Sequence, residues 1–189
     1  MDNEPIQIRI DNDLWLKSVE EKDAPAIFAL VDSNRLHLRA WLPWVDATQT
    51  VEDEASFIRN VRMQQEGNGS FSCGIWYRGQ IAGTIGYHMI DWMTRKVEIG
   101  YWLGAQFQGK GLITRSCVAL VRYAFEELRL NKVEIRCATG NTRSCAVPQR
   151  LGFKQEGVIR QGEWLYDHYV DLVHHGMLAS EWATHATMM

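Results

Sequence analysis

The sequence predicts one domain of the α/β (α+β) class, built around a mixed sheet. Residues 71–77 and 80–90 alternate as strands on either side of a tight turn at 78–79, which is typical of an antiparallel hairpin. Residues 96–139 have the pattern of strand, long amphipathic helix and strand, an order that makes the two strands parallel. Because both kinds of pairing occur in one chain, we expect a mixed sheet flanked by helices.

Length, composition and charge limit the classes of protein to consider. The chain has 189 residues, of which 46% are hydrophobic, enough for one substantial core and too few for two. We expect a single domain over residues 1–183 and a frayed tail over residues 184–189, where no periodicity is visible. The net charge of -3 and the lack of a basic run argue against nucleic acid as a partner.

The cysteines and the apolar runs indicate the compartment. Cys73, Cys117, Cys137 and Cys145 form no C-x-x-C pair and have no metal-ligand spacing with histidine. We therefore expect a reduced, cytoplasmic protein without a bound metal. No apolar run is long enough to span a bilayer and the acidic N-terminus does not resemble a signal peptide, so we expect no membrane association.

The first part of the chain predicts a strand and a helix. Residues 13–18 form the candidate strand. Asp23 is the expected N-cap of the helix, which has Pro25 in its first turn. Pro43 breaks any helix in the apolar segment that follows.

A second helix leads into the sheet. Thr50 and Asp53 have the spacing of a capping box, and we expect the helix that they open to end at Gly67. The hairpin described above comes next, and a turn near residues 91–95 connects it to a strand at 96–103.

The turn between that strand and the long helix is rich in glycine. A helix start leaves backbone N–H groups unpaired, and Gly109 and Gly111 carry no side chain that would keep a ligand from them. We therefore expect this turn to bind phosphate. The helix itself is predicted by an apolar stripe of Ile113, Cys117, Leu120, Val121, Ala124, Phe125 and Leu128.

Three phosphate-binding patterns fit this turn to different degrees. The P-loop pattern requires Ser or Thr where the chain has Gly111, and the dinucleotide pattern requires glycine where it has Thr114. The pattern [QR]-x-x-G-x-[GA] is matched in full by Gln106, Gly109 and Gly111. The third pattern is therefore favoured.

The last part of the chain completes the element order. Residues 132–139 alternate as a strand, and a short helix runs from about Arg143 to Gly152. Residues 153–160 and 166–177 have the pattern of a terminal hairpin.

The favoured pattern is the signature of the GCN5-related N-acetyltransferase (GNAT) family, and the element order resembles the GNAT fold over essentially the whole chain. Residues 141–153, NTRSCAVPQRLGF, resemble the second family motif. The segments EIGYWLGAQFQGKG, WLPW and GEW are most similar to the RimJ/RimL branch, which acetylates N-terminal α-amines of ribosomal proteins. The resemblance implies a mixed, mostly antiparallel sheet of about seven strands flanked by about four helices, acetyl transfer by direct attack of a primary amine on acetyl-CoA, and a homodimer.

The same resemblance implies the residues that hold acetyl-CoA. The backbone from about Gln108 to Thr114 supplies N–H groups to the pyrophosphate, and the exposed edge of the strand at 99–103 pairs with the pantetheine arm. A backbone N–H near Tyr101 is suited to stabilise the oxyanion. The implied set is Ile99, Gly100, Tyr101, Trp102, Leu103, Gln106, Gln108, Gly109, Lys110, Gly111, Leu112, Ile113, Thr114 and Asn141.

Catalytic candidates follow from the need for a neutral amine. An α-amine has a pKa of about 8, so it requires only a modest base, whereas deprotonating a lysine near 10.4 costs roughly 4 kcal/mol at neutral pH. By resemblance, Glu163 or Glu98 is the base and Ser144 protonates the leaving thiolate, because Pro148 stands where many members have a tyrosine acid. Trp41 and Trp44 would line the acceptor groove.

Each candidate also has a structural interpretation. Ser144 lies where serine often caps a helix, Glu163 lies in a hairpin where a solvated carboxylate is common, and Glu98 could form a structural ion pair. A small amine acceptor, such as a polyamine, an amino acid or an antibiotic, and a non-catalytic acetyl-CoA-binding module both stay open as alternatives.

Overall fold

The computed structural model describes residues 5–66 and 71–185. The strands are β1 Gln7–Arg9, β2 Leu14–Ser18, β3 Phe71–Tyr77, β4 Gln80–Tyr87, β5 Lys96–Leu103, β6 Lys132–Ala138, β7 Lys154–Leu165 and β8 His168–Leu178. The helices are α1 Ala24–Asp32, α2 Arg35–Arg39, α3 Val51–Glu66, α4 Leu112–Arg122, α5 Thr142–Arg150 and α6 Ala179–His185. Helix α4 continues into a π-helical turn over Tyr123–Glu127.

The eight described strands form one sheet in the order β1-β2-β3-β4-β5-β6-β8-β7. Only β5 and β6 pair in parallel, and every other neighbouring pair is antiparallel. The predicted mixed, mostly antiparallel sheet is therefore confirmed. The strand that the sequence did not predict is β1, which has 3 residues and is too short to show an alternating pattern.

Helices cover both faces of the sheet. On one face, α4 contributes Cys117, Leu120 and Val121 to the larger core, as its apolar stripe predicted. On the other face, α1 and α3 bury a second cluster that includes Ile27 and Ile58. No helix within residues 5–66 and 71–185 is both long enough and apolar enough to cross a membrane.

The parallel pairing of β5 with β6 is short, and it leaves a gap between the two strands. Strands β5 and β6 pair only at Lys96, Val97 and Glu98 of β5. Beyond Glu98, β5 stays paired with β4 as far as Leu103, while β6 turns away towards β8. A cleft therefore opens between the two central strands.

The helix caps agree only partly with the sequence prediction. The capping box at Thr50 and Asp53 is confirmed, since the Asp53 N–H donates to Thr50 Oγ1 at 3.1 Å and the Thr50 N–H donates to Asp53 Oδ2 at 2.8 Å. Asp23 does precede α1, but its carboxylate does not cap that helix. It accepts the N–H of Glu20 at 2.9 Å instead, within a short 3-10 turn that the sequence did not indicate.

Two residues of the tail expected to fray over 184–189, residues 184 and 185, lie in a helix. Helix α6 continues to His185, and Trp182 within it is buried beside Phe125, with ring centroids 6.4 Å apart. One buried aromatic side chain orders this segment without producing a periodic pattern. Residues 186–189, and the helix end expected at Gly67, lie outside the described residues.

Candidate active site

A cavity of about 780 Å³ opens where β5 and β6 separate. Its walls are the segment between α2 and α3, one face of α3, and the β7–β8 hairpin, and its floor is formed by β4 and β5. The polar and aromatic side chains that line it include those of Trp41, Trp44, Glu54, Phe57, Tyr87, His88, Glu98, Tyr101, Trp102, Arg136, Asn141, Ser144 and Glu163.

Two glycines lie side by side in the floor of the cavity. Gly86 pairs with Gly100 across β4 and β5, so both lie on the same face of the sheet. The imidazole of His88 occupies the space that a side chain at Gly100 would need. Neighbouring atoms therefore occupy both Cβ positions, the His88 imidazole at Gly100 and the Phe71 carbonyl oxygen at Gly86.

The edge of β5 that faces the cleft carries unpaired backbone groups. The His88 N–H donates to the Glu98 carbonyl at 2.9 Å and the Gly104 N–H donates to the Ala82 carbonyl at 2.9 Å, so the even-numbered residues of β5 point towards β4. Because the direction alternates along a strand, the N–H and C=O groups of Tyr101 and Leu103 point into the cleft. They lie beyond the last pair with β6.

A hydroxyl pair lies at the start of α5. The Tyr101 hydroxyl is 3.2 Å from Ser144 Oγ and 3.2 Å from the Ser144 carbonyl oxygen. Burial raises the pKa of Tyr101 well above its ordinary value, so its proton is retained at neutral pH. Asn141, not Ser144, caps the helix, since its Oδ1 accepts the Ser144 N–H at 3.2 Å.

Two carboxylates face the cavity in different surroundings. Glu98 Oε2 is 2.5 Å from Arg136 Nε, so Glu98 is held in an ion pair. Burial is the first cause that raises the pKa of Glu163, the cation of Arg136 lowers it, and the charge of Glu98 raises it, with a net rise. No hydrogen bond or ion pair of the Glu163 side chain occurs within the described part of the chain.

A bulge in β7 turns Glu163 towards the cavity. Ile159 pairs with Leu172, but Glu163 pairs with Val170, so β7 contains extra residues at this point. Gln161 takes the left-handed conformation with φ of 51°. Its N–H donates to Asp171 Oδ1 at 2.7 Å, which holds the bulge in place.

The glycine-rich turn lies outside this cavity, at the N-terminus of α4. Gly109 and Gly111 have φ of 74° and 68°, and no atom lies within 4 Å of the position where a Cβ would stand. No side chain of the described residues caps α4, so the N–H groups of its first turn have no side-chain acceptor there. This geometry is suited to bind an anion.

Cations surround the turn. Arg143 donates to Gln108 Oε1 at 2.6 Å, and Arg150 donates to Thr114 Oγ1 at 3.0 Å, so two guanidinium groups of α5 lie beside it. Lys110 also projects from the turn, where its ammonium lies 5.4 Å from the ring centroid of Phe107. The turn therefore offers both N–H donors and positive charge.

The comparisons with known proteins decide the family. Residues 13–154 match the acetyltransferase (GNAT) domain family. The chain belongs to the GNAT acetyltransferase family. It is therefore an N-acetyltransferase, and the prediction made from the turn motif is confirmed.

Relatives of this GNAT acetyltransferase match it along nearly their whole length. YdaF of Bacillus subtilis (strain 168), described provisionally as a ribosomal N-acetyltransferase, is 37% identical over 92% of this chain and 96% of its own. The ribosomal-protein-serine acetyltransferase of Escherichia coli (strain K12) is 30% identical over 87% of this chain and 92% of its own. The structure of RimL, the ribosomal L7/L12 α-N-protein acetyltransferase, in complex with coenzyme A has a TM-score of 0.88 and 26% identity, covering 93% of this chain and 99% of that chain.

The site residues expected from the sequence divide between two places in the GNAT fold. The cavity is lined by the three catalytic candidates Ser144, Glu163 and Glu98, by Trp41 and Trp44, and by Ile99, Gly100, Tyr101, Trp102 and Asn141. The turn and the first turn of α4 hold Gln106, Gln108, Gly109, Lys110, Gly111, Leu112, Ile113 and Thr114. Leu103 connects the two places at the end of β5.

Arg136 and His88 line the cavity but were not singled out from the sequence, and Glu54 was not distinguished from the neighbouring acidic residues Glu52 and Asp53. Arg136 lies on the polar face of β6, opposite the apolar alternation that predicted the strand. His88 follows the last residue of β4. Glu54 lies on α3 with Phe57, Val61 and Gln64, and this 3-4-3 spacing on one helix face is the signal that could have found it.

Proposed function

We propose that this GNAT acetyltransferase transfers the acetyl group of acetyl-CoA to the N-terminal α-amine of a protein, and that a ribosomal protein is its acceptor. The observation that carries the proposal is the open edge of β5, which lies between the anion-binding turn and the cavity. The ribosomal acetyltransferases among the relatives support the acceptor class.

The residues present fit acetyl-CoA along its length. The N–H groups at the start of α4, with Arg143 and Arg150 nearby, would hold the pyrophosphate. The backbone of Leu103 and Tyr101 would pair with the amide groups of the pantetheine arm. Acetyl-CoA supplies an acyl group attached to a thiol leaving group at the end of that arm.

Glu163 is the base that we propose for the acceptor amine. An α-amine with a pKa of about 8 is partly charged at neutral pH, so one proton must be removed before attack. Glu98 is engaged with Arg136 in an ion pair. Burial raises the pKa of Glu163, which favours proton uptake by its carboxylate. Trp41 and Trp44 line the same cavity and would contact the acceptor backbone.

The Tyr101 N–H and the Ser144 hydroxyl would act on the acetyl thioester. The Tyr101 N–H points into the cleft and is available to a carbonyl oxygen that gains negative charge. Ser144 Oγ, 3.2 Å from the Tyr101 hydroxyl, would donate a proton to the departing thiolate. Pro148, further along α5, has no hydroxyl to offer, and Ser144 is the donor that we propose.

An acceptor panel analysed by mass spectrometry tests the proposal. Acetyl-CoA is incubated with peptides that have free or blocked N-termini, lysine peptides, polyamines and aminoglycosides. We expect the mass of one acetyl group to be added to peptides with a free α-amine. Addition only to small amines would overturn the acceptor, and tight CoA binding without any addition would identify a binding module.

A pair of variants on β7 tests the base. Glu163→Gln is expected to lower kcat about 100- to 10,000-fold, the usual range for a general base. Glu156→Gln is the matched control on the same strand, where Glu156 pairs with Lys132 at 2.7 Å. An unchanged kcat in Glu163→Gln would transfer the role to Glu98 or to solvent.

We also propose that the protein is a cytoplasmic homodimer. The dimer is supported by four apolar side chains of the outer hairpin, Val158, Ile159, Trp164 and Tyr169, which are between 46% and 57% exposed. The compartment is supported by the four cysteines, all of them buried free thiols. Sedimentation should show a dimer for wild type and a monomer for Trp164→Glu. A monomer for both proteins would contradict the dimer.

A further inference from the structure

Three acidic residues open α3, and the structure separates them. Glu52 pairs with Arg59, whose Nη2 lies 2.5 Å from Glu52 Oε1. Asp53 completes the capping box with Thr50. Glu54 points inward instead: it is only 6% exposed, and it lines the cavity. The three carboxylates therefore have different chemistry despite their adjacency.

No described residue gives Glu54 a partner that would offset its burial. Within residues 5–66 and 71–185, its carboxylate makes no hydrogen bond and no ion pair. Burial raises its pKa from 4.5 to about 7, and no neighbouring charge contributes to that rise. Arg136, a cation of the same cavity, is already paired with Glu98. A buried carboxylate in this state favours any ligand that brings a cation and hydrogen-bond donors.

The surroundings indicate which cation fits. The described residues contain no group of three or more His, Cys, Asp and Glu side chains placed to hold a metal ion, so a single carboxylate is more suited to an organic cation. Phe57 on the same helix face and the Trp44–Trp102 pair, with centroids 6.0 Å apart, line the cavity with Glu54. Aromatic rings also attract organic cations.

We propose that Glu54 is the acceptor-recognition residue, which binds an ammonium group of the acceptor by an ion pair inside the cavity. This inference rests on the proposed function, because the acceptor of an N-acetyltransferase is an amine. Glu54 thereby favours acceptors that carry a protonated amine when they bind, and Glu163 removes the proton from the reacting amine. The amine class is favoured over neutral ligands of the same shape.

The test compares Glu54→Gln with Glu52→Gln, which removes one exposed charge from the same helix turn. The probes are a short peptide with a free N-terminal serine and its N-acetylated form, which has nearly the same shape without the charge. KM and kcat are measured for the free peptide. The Kd of each peptide is measured with CoA present, by the fluorescence of Trp41, Trp44 and Trp102 in the cavity.

Glu54→Gln is expected to raise KM and Kd for the free peptide about 10- to 100-fold, the range of one charge-assisted hydrogen bond. It should leave the Kd of the N-acetylated peptide and the KM for acetyl-CoA unchanged, and Glu52→Gln should match wild type throughout. A wild-type KM and Kd for the free peptide in Glu54→Gln would overturn the proposal.

A second probe separates this inference from the proposed function. Binding of n-butylammonium and of n-butanol is measured with the same variants, without any acetyl transfer. If wild type acetylates no amine of the panel, the proposed function fails, yet loss of n-butylammonium binding in Glu54→Gln alone would still support the role of Glu54. Equal binding of n-butylammonium by wild type and Glu54→Gln would overturn the proposed role of Glu54, regardless of which acceptor the enzyme acetylates.

Discussion

Replacing Glu54 by glutamine is expected to change how the stability of this protein depends on pH. Glutamine has nearly the same volume as glutamate and no charge, so the cavity wall is preserved. The pKa of Glu54 is raised from 4.5 to about 7 in the folded protein. Since each pKa unit corresponds to about 1.4 kcal/mol, the ionised form of Glu54 costs about 3 kcal/mol of folding free energy.

The sign follows from proton linkage. Between pH 4.5 and about 7, folded Glu54 binds more protons than unfolded Glu54, so its contribution to stability falls as the pH rises. At about pH 8 the loss is complete. We therefore expect Glu54→Gln to gain up to about 3 kcal/mol relative to wild type between about pH 5 and about pH 8.

Urea unfolding followed by tryptophan fluorescence at these two pH values measures the difference. The other titratable groups that face the cavity are present in both proteins, namely Tyr87, His88, Glu98, Tyr101, Arg136, Cys137 and Glu163. Glu52→Gln is the control and should follow wild type, because Glu52 is exposed. Identical pH dependence of stability in wild type and Glu54→Gln would refute the reasoning.

Three further predictions concern single sites. Removing the cation in Arg136→Gln should raise the pKa of Glu163 and shift the acidic limb of the kcat/KM profile to higher pH, and an unmoved limb would exclude Glu163 as the base. Gly111→Val should be strained at φ of 68° and should raise the KM for acetyl-CoA at least about 10-fold with little effect on the KM for the amine, whereas equal effects on both would contradict a cofactor-binding turn. Trp182→Ala should lower the free energy of unfolding by about 3 to 5 kcal/mol in urea titration, and a loss below about 1 kcal/mol would show that α6 is not part of the core.

The centre of the fold was predictable because its signals are local. The strand at 96–103, the glycines at φ of 74° and 68°, and the apolar stripe of α4 each depend on residues a few positions apart. The glycine-rich turn could therefore be placed by spacing alone. The prediction that Asp23 caps α1 was wrong, because its carboxylate accepts a competing local hydrogen bond from the N–H of Glu20.

The cavity was less predictable because its residues meet only through long-range register. The sequence indicated that residues 153–160 and 166–177 form a hairpin, but not that β7 runs on to Leu165 through a bulge. The bulge depends on Gln161 at a positive φ, a conformation that the adjacent Gly162 would have been expected to take. Pairing of Glu98 with Arg136 likewise requires the register of β5 with β6.

The burial of Glu54 affects both the stability of the folded protein and, by our proposal, its binding of the acceptor amine. A typical domain is stable by only about 5 to 15 kcal/mol. A buried carboxylate without a partner among the described residues, which costs about 3 kcal/mol at pH 8, is therefore a substantial burden for the free protein. If Glu54 were only a packing residue, Glu54→Gln would be more stable than wild type and equally active. If Glu54 binds the acceptor cation, the same variant would be more stable and would bind the amine less well. Measuring both properties in one variant therefore distinguishes a tolerated defect from a ligand-binding group.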